Sequence, residues 1–167
     1  MLQKDIKQVI ISLISELDFY FVENGFLRRS NSLKYIRKLD GVTQKVEIVF
    51  FSNPSYHSGA LAHIYPHMQI YIPSVNGTTK EYAIHLIPSK WLDQFTIRQP
   101  IQIYSRSGNF YLMDINACES LKDQLLDFFE KNAIPLLNDL TSEKDYLSLY
   151  ENKDKRIIWD DNQYLYI

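Results

Sequence analysis

The sequence predicts an α+β fold: an N-terminal helix, a mainly antiparallel sheet of about five to six strands, and two C-terminal helices packed on one sheet face. Three observations predict it. Residues 2–24 carry apolar side chains at helical spacing, residues 33–51 alternate about an Asp-Gly pair, and residues 116–152 return to helical spacing. Helix signals at both ends and strand signals between them fit a segregated α+β layout, in which the sheet buries its Ile/Met/Leu face against helices.

In the first segment, Leu2, Ile6, Val9, Ile10, Leu13, Leu17 and Tyr20/Phe21 recur at three- and four-residue steps, with Lys4, Lys7, Gln8 and Ser15 elsewhere. Asn24-Gly25 supplies the stop, because glycine enters the left-handed conformation after a helix without steric cost. Around Asp40-Gly41 a type I′ hairpin turn is expected. It pairs Leu39 with Val42, Arg37 with Gln44, Tyr35 with Val46 and Leu33 with Ile48 on one face. Lys38–Thr43, Ile36–Lys45 and Lys34–Glu47 then share the other. A one-residue slip would scramble both sets, so turn and pattern select one register.

Residues 53–59 are rich in breakers and read as a loop. A strand over 61–72 follows, with Ala62, Ile64, Met68, Ile70 and Ile72 on one face, and Pro66 predicts a bulge or an edge position. Asn76-Gly77 predicts the next turn. A three-residue loop, 76–78, would pair Ile72 with Tyr82, Ile70 with Ile84, and Met68 with Leu86. Pro88-Ser89 closes that strand, with Ser89 capping a short turn through Trp91 and Leu92. A further hairpin joins 101–105 to 110–114 around residues 106–109. On this parse all five glycines stand at element boundaries.

The spacing predicts a helix over 116–132, opened by Asn116 and Glu119 at capping-box distance. Its stripe is Ala117, Leu121, Leu125 and Phe128, and Pro135 ends or kinks it. Thr141-Ser142 starts a last helix to about residue 152. The tail 153–167 is too apolar for a free terminus and is expected to dock, completing a single domain over 1–167.

Bulk composition narrows the function classes. The chain has 167 residues, 46% apolar and 23% charged, with a formal net charge of −2. That balance argues against a general polyanion binder. It holds 12 Tyr, 9 Phe and 2 Trp, which suits half-buried strands and wet interfaces alike. One cysteine, Cys118, allows no internal disulfide and fits a reducing compartment. Asp5, Lys7, Glu16 and Asp18 interrupt the first apolar run, so no signal peptide is read there. No window is long and apolar enough for a membrane span. The expected location is cytoplasmic.

Candidate chemistry begins with His57, His63, His67 and His85. His63 and His67 share a strand face but stand about 13 Å apart, too far for one metal. The expected register sets His85 opposite Gln69, diagonal to His67, so a small enzyme or metal-binding protein using His63, His67 and His85 is the alternative function. The plainer reading is hydrogen-bonded sheet histidines. Cys118 lies near a helix start, where the dipole favours a thiolate, but no histidine is close in sequence and the plainer reading is a helix-packing cysteine. No nucleophile elbow, phosphate loop or dinucleotide fingerprint is present. No catalytic residue, metal ligand or cofactor is therefore assigned. Residues 28–45 carry Arg28, Arg29, Lys34, Arg37, Lys38 and Lys45 against Asp40, a local +5. Residues 114–145 carry a local −5. The basic hairpin could contact RNA or an acidic protein, but lysines also guard sheet edges, and nucleic acid is the less expected partner.

Three stretches resemble an uncharacterised bacterial α+β domain family: Asn-Gly-Phe-Leu-Arg-Arg at 24–29, the Gln-bearing strand at 41–50, and the helix–Pro–short helix at 133–147. The likeness covers roughly residues 5–150. No activity is established for such domains as a class. Analogy with small cytoplasmic bacterial immunity proteins implies that the partner is a protein toxin. The function expected is thus non-catalytic partner binding, immunity-like, through a protein partner. The candidate contact residues are Tyr35, Arg37, Lys38, His63, Tyr65, His67, Tyr71 and His85. The sequence leaves the oligomeric state open.

Overall fold

A computed structural model describes residues 3–83, 95–101 and 110–158. The chain is α+β, as expected, with a six-stranded sheet that is antiparallel throughout. The elements run α1 (Gln3–Ser15), α2 (Asp18–Glu23), β1 (Leu27–Arg28), β2 (Lys34–Leu39), β3 (Val42–Ser52), β4 (Ala62–Tyr71) and α3 (Pro73–Ala83). Then follow β5 (Ile97–Pro100), β6 (Phe110–Leu112), a 3₁₀ turn at Ile115–Ala117, α4 (Cys118–Phe128), a π turn at Phe129–Ala133, α5 (Ile134–Asn138) and α6 (Glu143–Glu151). The sheet order is β1-β2-β3-β4-β5, with β6 also on β4.

The β2–β3 register is the one the alternation selects, from Lys34↔Glu47 to Leu39↔Val42. The turn itself differs. Gly41 takes φ +75°, whereas Asp40 is not left-handed, the sign pattern of a type II turn rather than type I′. Register here follows from burying Val42, Val46 and Ile48 together with Tyr35, and either turn serves it.

The N-terminal helix is broken. Backbone bonds from Glu16 to Leu13 and from Leu17 to Ile14 close α1, and α2 restarts at Asp18. The break aims the Asp18 carboxylate at Arg28, which meets it with Nε and Nη2 at 2.7 Å each. Ile6, Ile10, Leu13, Leu17 and Phe21 are all buried, so the apolar stripe survives the interruption.

Pro66 is neither in a bulge nor on an edge. It sits mid-strand in β4, opposite Ile48 of β3. On the other side, β5 covers His67–Ile70 and β6 covers Ala62–Ile64. Pro66 therefore lies at the seam where β4 changes neighbour, and there its missing N–H costs no ladder bond. Its carbonyl still accepts from Ile101 N at 2.9 Å.

The Asn76-Gly77 turn is overturned. Residues 73–83 form α3, with Pro73 at its first position, where a missing N–H is harmless. Asn76 is buried, and its side-chain oxygen meets the Thr96 hydroxyl, which also accepts from Ile72 N at 2.8 Å. Tertiary contact thus outweighs the local turn preference of Asn-Gly. The partner of β4 is β5, with Ile70 opposite Ile97 and Met68 opposite Gln99, in place of Ile84 and Leu86. The expected features at Pro88–Leu92, and residues 102–109 of the further hairpin, lie outside the described residues. Its other half, β6, pairs with β4.

At the C-terminal end, Asp114 rather than Asn116 opens the helix, accepting from Asn116 N at 3.0 Å. The helix does not stop at 132. It widens into the π turn directly ahead of Pro135 and continues as α5, an adjustment that accommodates the proline ring. Ser142 caps α6 by accepting from Asp145 N, and Asp145 reaches back to Thr141. Beyond α6, Ile157 is buried, and Gln99 of β5 bonds the backbone of Arg156 and Ile158. No helix among the described residues is long and apolar enough to cross a membrane.

Candidate functional site: the sheet face away from the helices

Strand alternation gives the sheet two faces of different character. The inner face carries Tyr35, Val42, Gln44, Val46, Ile48, Ala62, Ile64, Met68, Ile70, Ile97, Phe110 and Leu112, packed against the helices. The outer face carries the alternate residues, most of them half-buried or exposed, with Gln69 buried among them.

Two of the candidate contact residues belong to the inner face, which is a correction. Tyr35 is buried, stacked on Phe21 at 3.8 Å, and its hydroxyl lies 2.7 Å from both the Ile14 carbonyl and Asp18 Oδ1. Burial pushes its hydroxyl pKa far up. Arg37 is also buried. Its Nε donates to Gln44 Oε1 (2.8 Å), and its Nη1 to Asn24 O (3.1 Å) and Asn138 Oδ1 (2.8 Å). The guanidinium stands 4.5 Å over the Phe26 ring. Gln44 Nε2 in turn donates to Leu137 O and Leu140 O at 2.7 Å. This network closes the ends of α2 and α5 with a cation, which suits their dipoles. It accounts physically for the Gly-Phe-basic and Gln-bearing stretches as packing devices. The basic hairpin is correspondingly less free than its composition implies. Arg28 clasps Asp18, holding that carboxyl below its ordinary range, and Lys34 pairs with Glu47 at 3.0 Å.

The remaining described candidates lie together on the outer face. His63, Tyr65, His67 and Tyr71 alternate along β4, and Lys38 stands exposed on β2, across Thr43 from Tyr71. His85 lies outside the described residues. An aromatic row crosses three strands and the 53–61 loop. His63 stacks on Tyr111 of β6 (4.7 Å, 17°), and Phe51 of β3 stacks on Tyr65 (5.2 Å, 24°). His57 lies 4.0 Å from the Tyr111 ring, and Tyr65 meets His67 edge-on at 5.2 Å. Tyr56 Oη lies 2.6 Å from His63 Nδ1. Phe51 and Tyr56 remain 53% and 63% exposed, too much for core residues of their size.

Phe51, Tyr56, His57 and Tyr111 are not among the contact residues that the sequence alone suggests. Register explains Tyr111 and Phe51, both of which stand opposite His63, but only once β4 is placed between β3 and β6. Burial lowers the His67 imidazole pKa, an effect partly countered by Glu47 and reinforced by Arg98. Among the described residues its Nε2 has no hydrogen-bond partner.

Cys118 is half-buried. Burial, with Glu16 and Asp114 nearby, pushes its thiol up, the reverse of the lowering expected from a helix start. A protonated thiol is a poor nucleophile. Among the described residues no group of three or more His, Cys, Asp or Glu could hold a metal ion.

Comparison with protein-family models gives no match, nor does comparison with curated proteins or with solved structures.

Proposed function

We propose that this is a non-catalytic, partner-binding domain whose contact surface is the outer sheet face, immunity-like in that it holds a second protein. The observation that carries the reading is the aromatic row of Phe51, Tyr56, His57, His63, Tyr65 and Tyr111. Aromatic side chains dominate the energetics of protein interfaces, and a contiguous partly exposed cluster is uncommon on a surface with no partner. Ring geometry favours a protein over a nucleic acid. Phe51 and Tyr65, like His63 and Tyr111, spend one ring face on each other, which leaves fewer faces on which bases could stack. What this row offers outward includes the exposed Phe51 and Tyr56 side chains, a surface suited to the side chains of a protein.

The test is site-specific photo-crosslinking in the native cell. A photoreactive phenylalanine replaces Phe51 on the outer face, or Leu147 on exposed α6 as the control. The expected result is one discrete protein adduct from position 51, lost in Tyr65→Ala. Adducts from position 147 alone, or none from position 51, would overturn the reading. So would a hydrolase activity that disappears in His67→Ala.

A further inference from the structure

We infer that the partner presents an acidic segment beside its apolar anchor, selected by the cationic end of the same face; this rests on the protein-binding reading above. The register divides the outer face into two halves. At one end, Ile36, Lys45, Gln69 and Arg98 stand in one cross-strand row, with Lys38, Thr43 and Tyr71 in the next. At the other end are Val49 with Tyr65, then Phe51, His63 and Tyr111. Six residue steps along β4 lead from His63 to Gln69, about 20 Å of strand.

Charge on the cationic half is unbalanced. Lys38 and Arg98 are exposed, and Lys45 is half-buried with its ammonium 4.9 Å over the Phe95 ring. Glu47 is the one carboxylate on this face among the described residues, and it is engaged by Lys34 at 3.0 Å and Gln69 at 2.7 Å. The opposite side of the molecule is acidic: Glu119, Asp123, Asp127 and Glu130 are exposed on the α4 and π-turn surface. On a chain of net charge −2, Lys34, Lys38, Lys45 and Arg98 thus give the outer sheet face a local positive balance against Glu47. Such a field repels an acidic partner from the helices and steers it to the sheet. The aromatic end then supplies desolvated contact, and the cationic end supplies selection.

The test measures fluorescence anisotropy with labelled oligo-glutamate, oligo-lysine and a mixed-sequence RNA of equal charge at low ionic strength. Oligo-glutamate is expected to bind best, weakening with salt. Lys38→Glu with Arg98→Glu should lower its affinity by roughly tenfold or more, since exposed charges act through the screened field. Both side chains are exposed; circular dichroism verifies the fold, and Lys38→Gln with Arg98→Gln replaces the pair should the reversal perturb it. Equal binding of oligo-lysine, unchanged affinity in the variant, or tighter binding of RNA would each overturn the inference. A position-51 adduct that persists alongside any of those results sinks the acidic partner alone. Loss of the adduct with oligo-glutamate binding retained sinks the protein-binding reading instead.

Discussion

Gln44 is the side chain on which most of the buried polar structure converges, and its removal has a calculable cost. The residue is 0% exposed. It makes three hydrogen bonds, to Leu137 O and Leu140 O at 2.7 Å and from Arg37 Nε at 2.8 Å. Leu137 O keeps a second donor, Leu140 N at 3.3 Å, so two groups lose their contact outright: Leu140 O and the Arg37 Nε–H. A buried group left unsatisfied costs about 1–3 kcal/mol, with more for a charged one. Gln44→Ala also opens a cavity. We expect a loss of about 3–5 kcal/mol. In a domain of this size each kcal/mol moves Tm by roughly 2–4 °C, so a fall of about 6–20 °C should follow. Gln44→Leu separates packing from polarity, because it keeps the volume and deletes the bonds. Urea denaturation at constant m-value is the assay. Gln44→Leu within about 1 kcal/mol of the wild type would refute the argument, since it would show that volume alone matters at this site.

Two glycines predict opposite signs. Gly41 has φ +75° with open space for a Cβ, so Gly41→Val should cost about 1–2 kcal/mol through backbone strain alone; an unchanged midpoint would show that the turn relaxes. Gly77 lies inside α3 without positive φ, and an added methyl would meet no atom within 4 Å. Gly77→Ala should therefore stabilise by about 0.5–1 kcal/mol, whereas the turn read from sequence would make it destabilising; the urea midpoint decides. The Asp18–Arg28 contact predicts a pH dependence. Arg28 holds the Asp18 carboxyl below its ordinary value, so the stabilisation is complete above the unfolded carboxyl's pKa and is lost as pH falls through the depressed folded one. Asp18→Asn should therefore weaken the protein at neutral pH and flatten its acid limb in urea melts; an equal loss at every pH would contradict the linkage.

The local sequence determined what local physics controls. The β2–β3 register was legible because every apolar residue of one strand had to share a face with the other's, a constraint confined to residues 33–48. The helical stripes of α1 and α4 were legible for the same reason, as was the α6 start, where Ser142 and Asp145 satisfy backbone N–H groups within one turn. Tertiary structure decided the rest. Asn76-Gly77 became helical because Asn76 found Thr96 twenty residues on, a bond no local window contains. Tyr35 and Arg37 passed from candidate contacts to buried clasps because α1 and α2 from before the hairpin, and α5 from after it, close over the same sheet face. The aromatic row likewise drew Phe51, Tyr56, His57 and Tyr111 from two flanking strands and a loop onto His63 and Tyr65. Alternation along a strand tells which residues share a face, but only the pairing of distant strands tells which of them are neighbours across it.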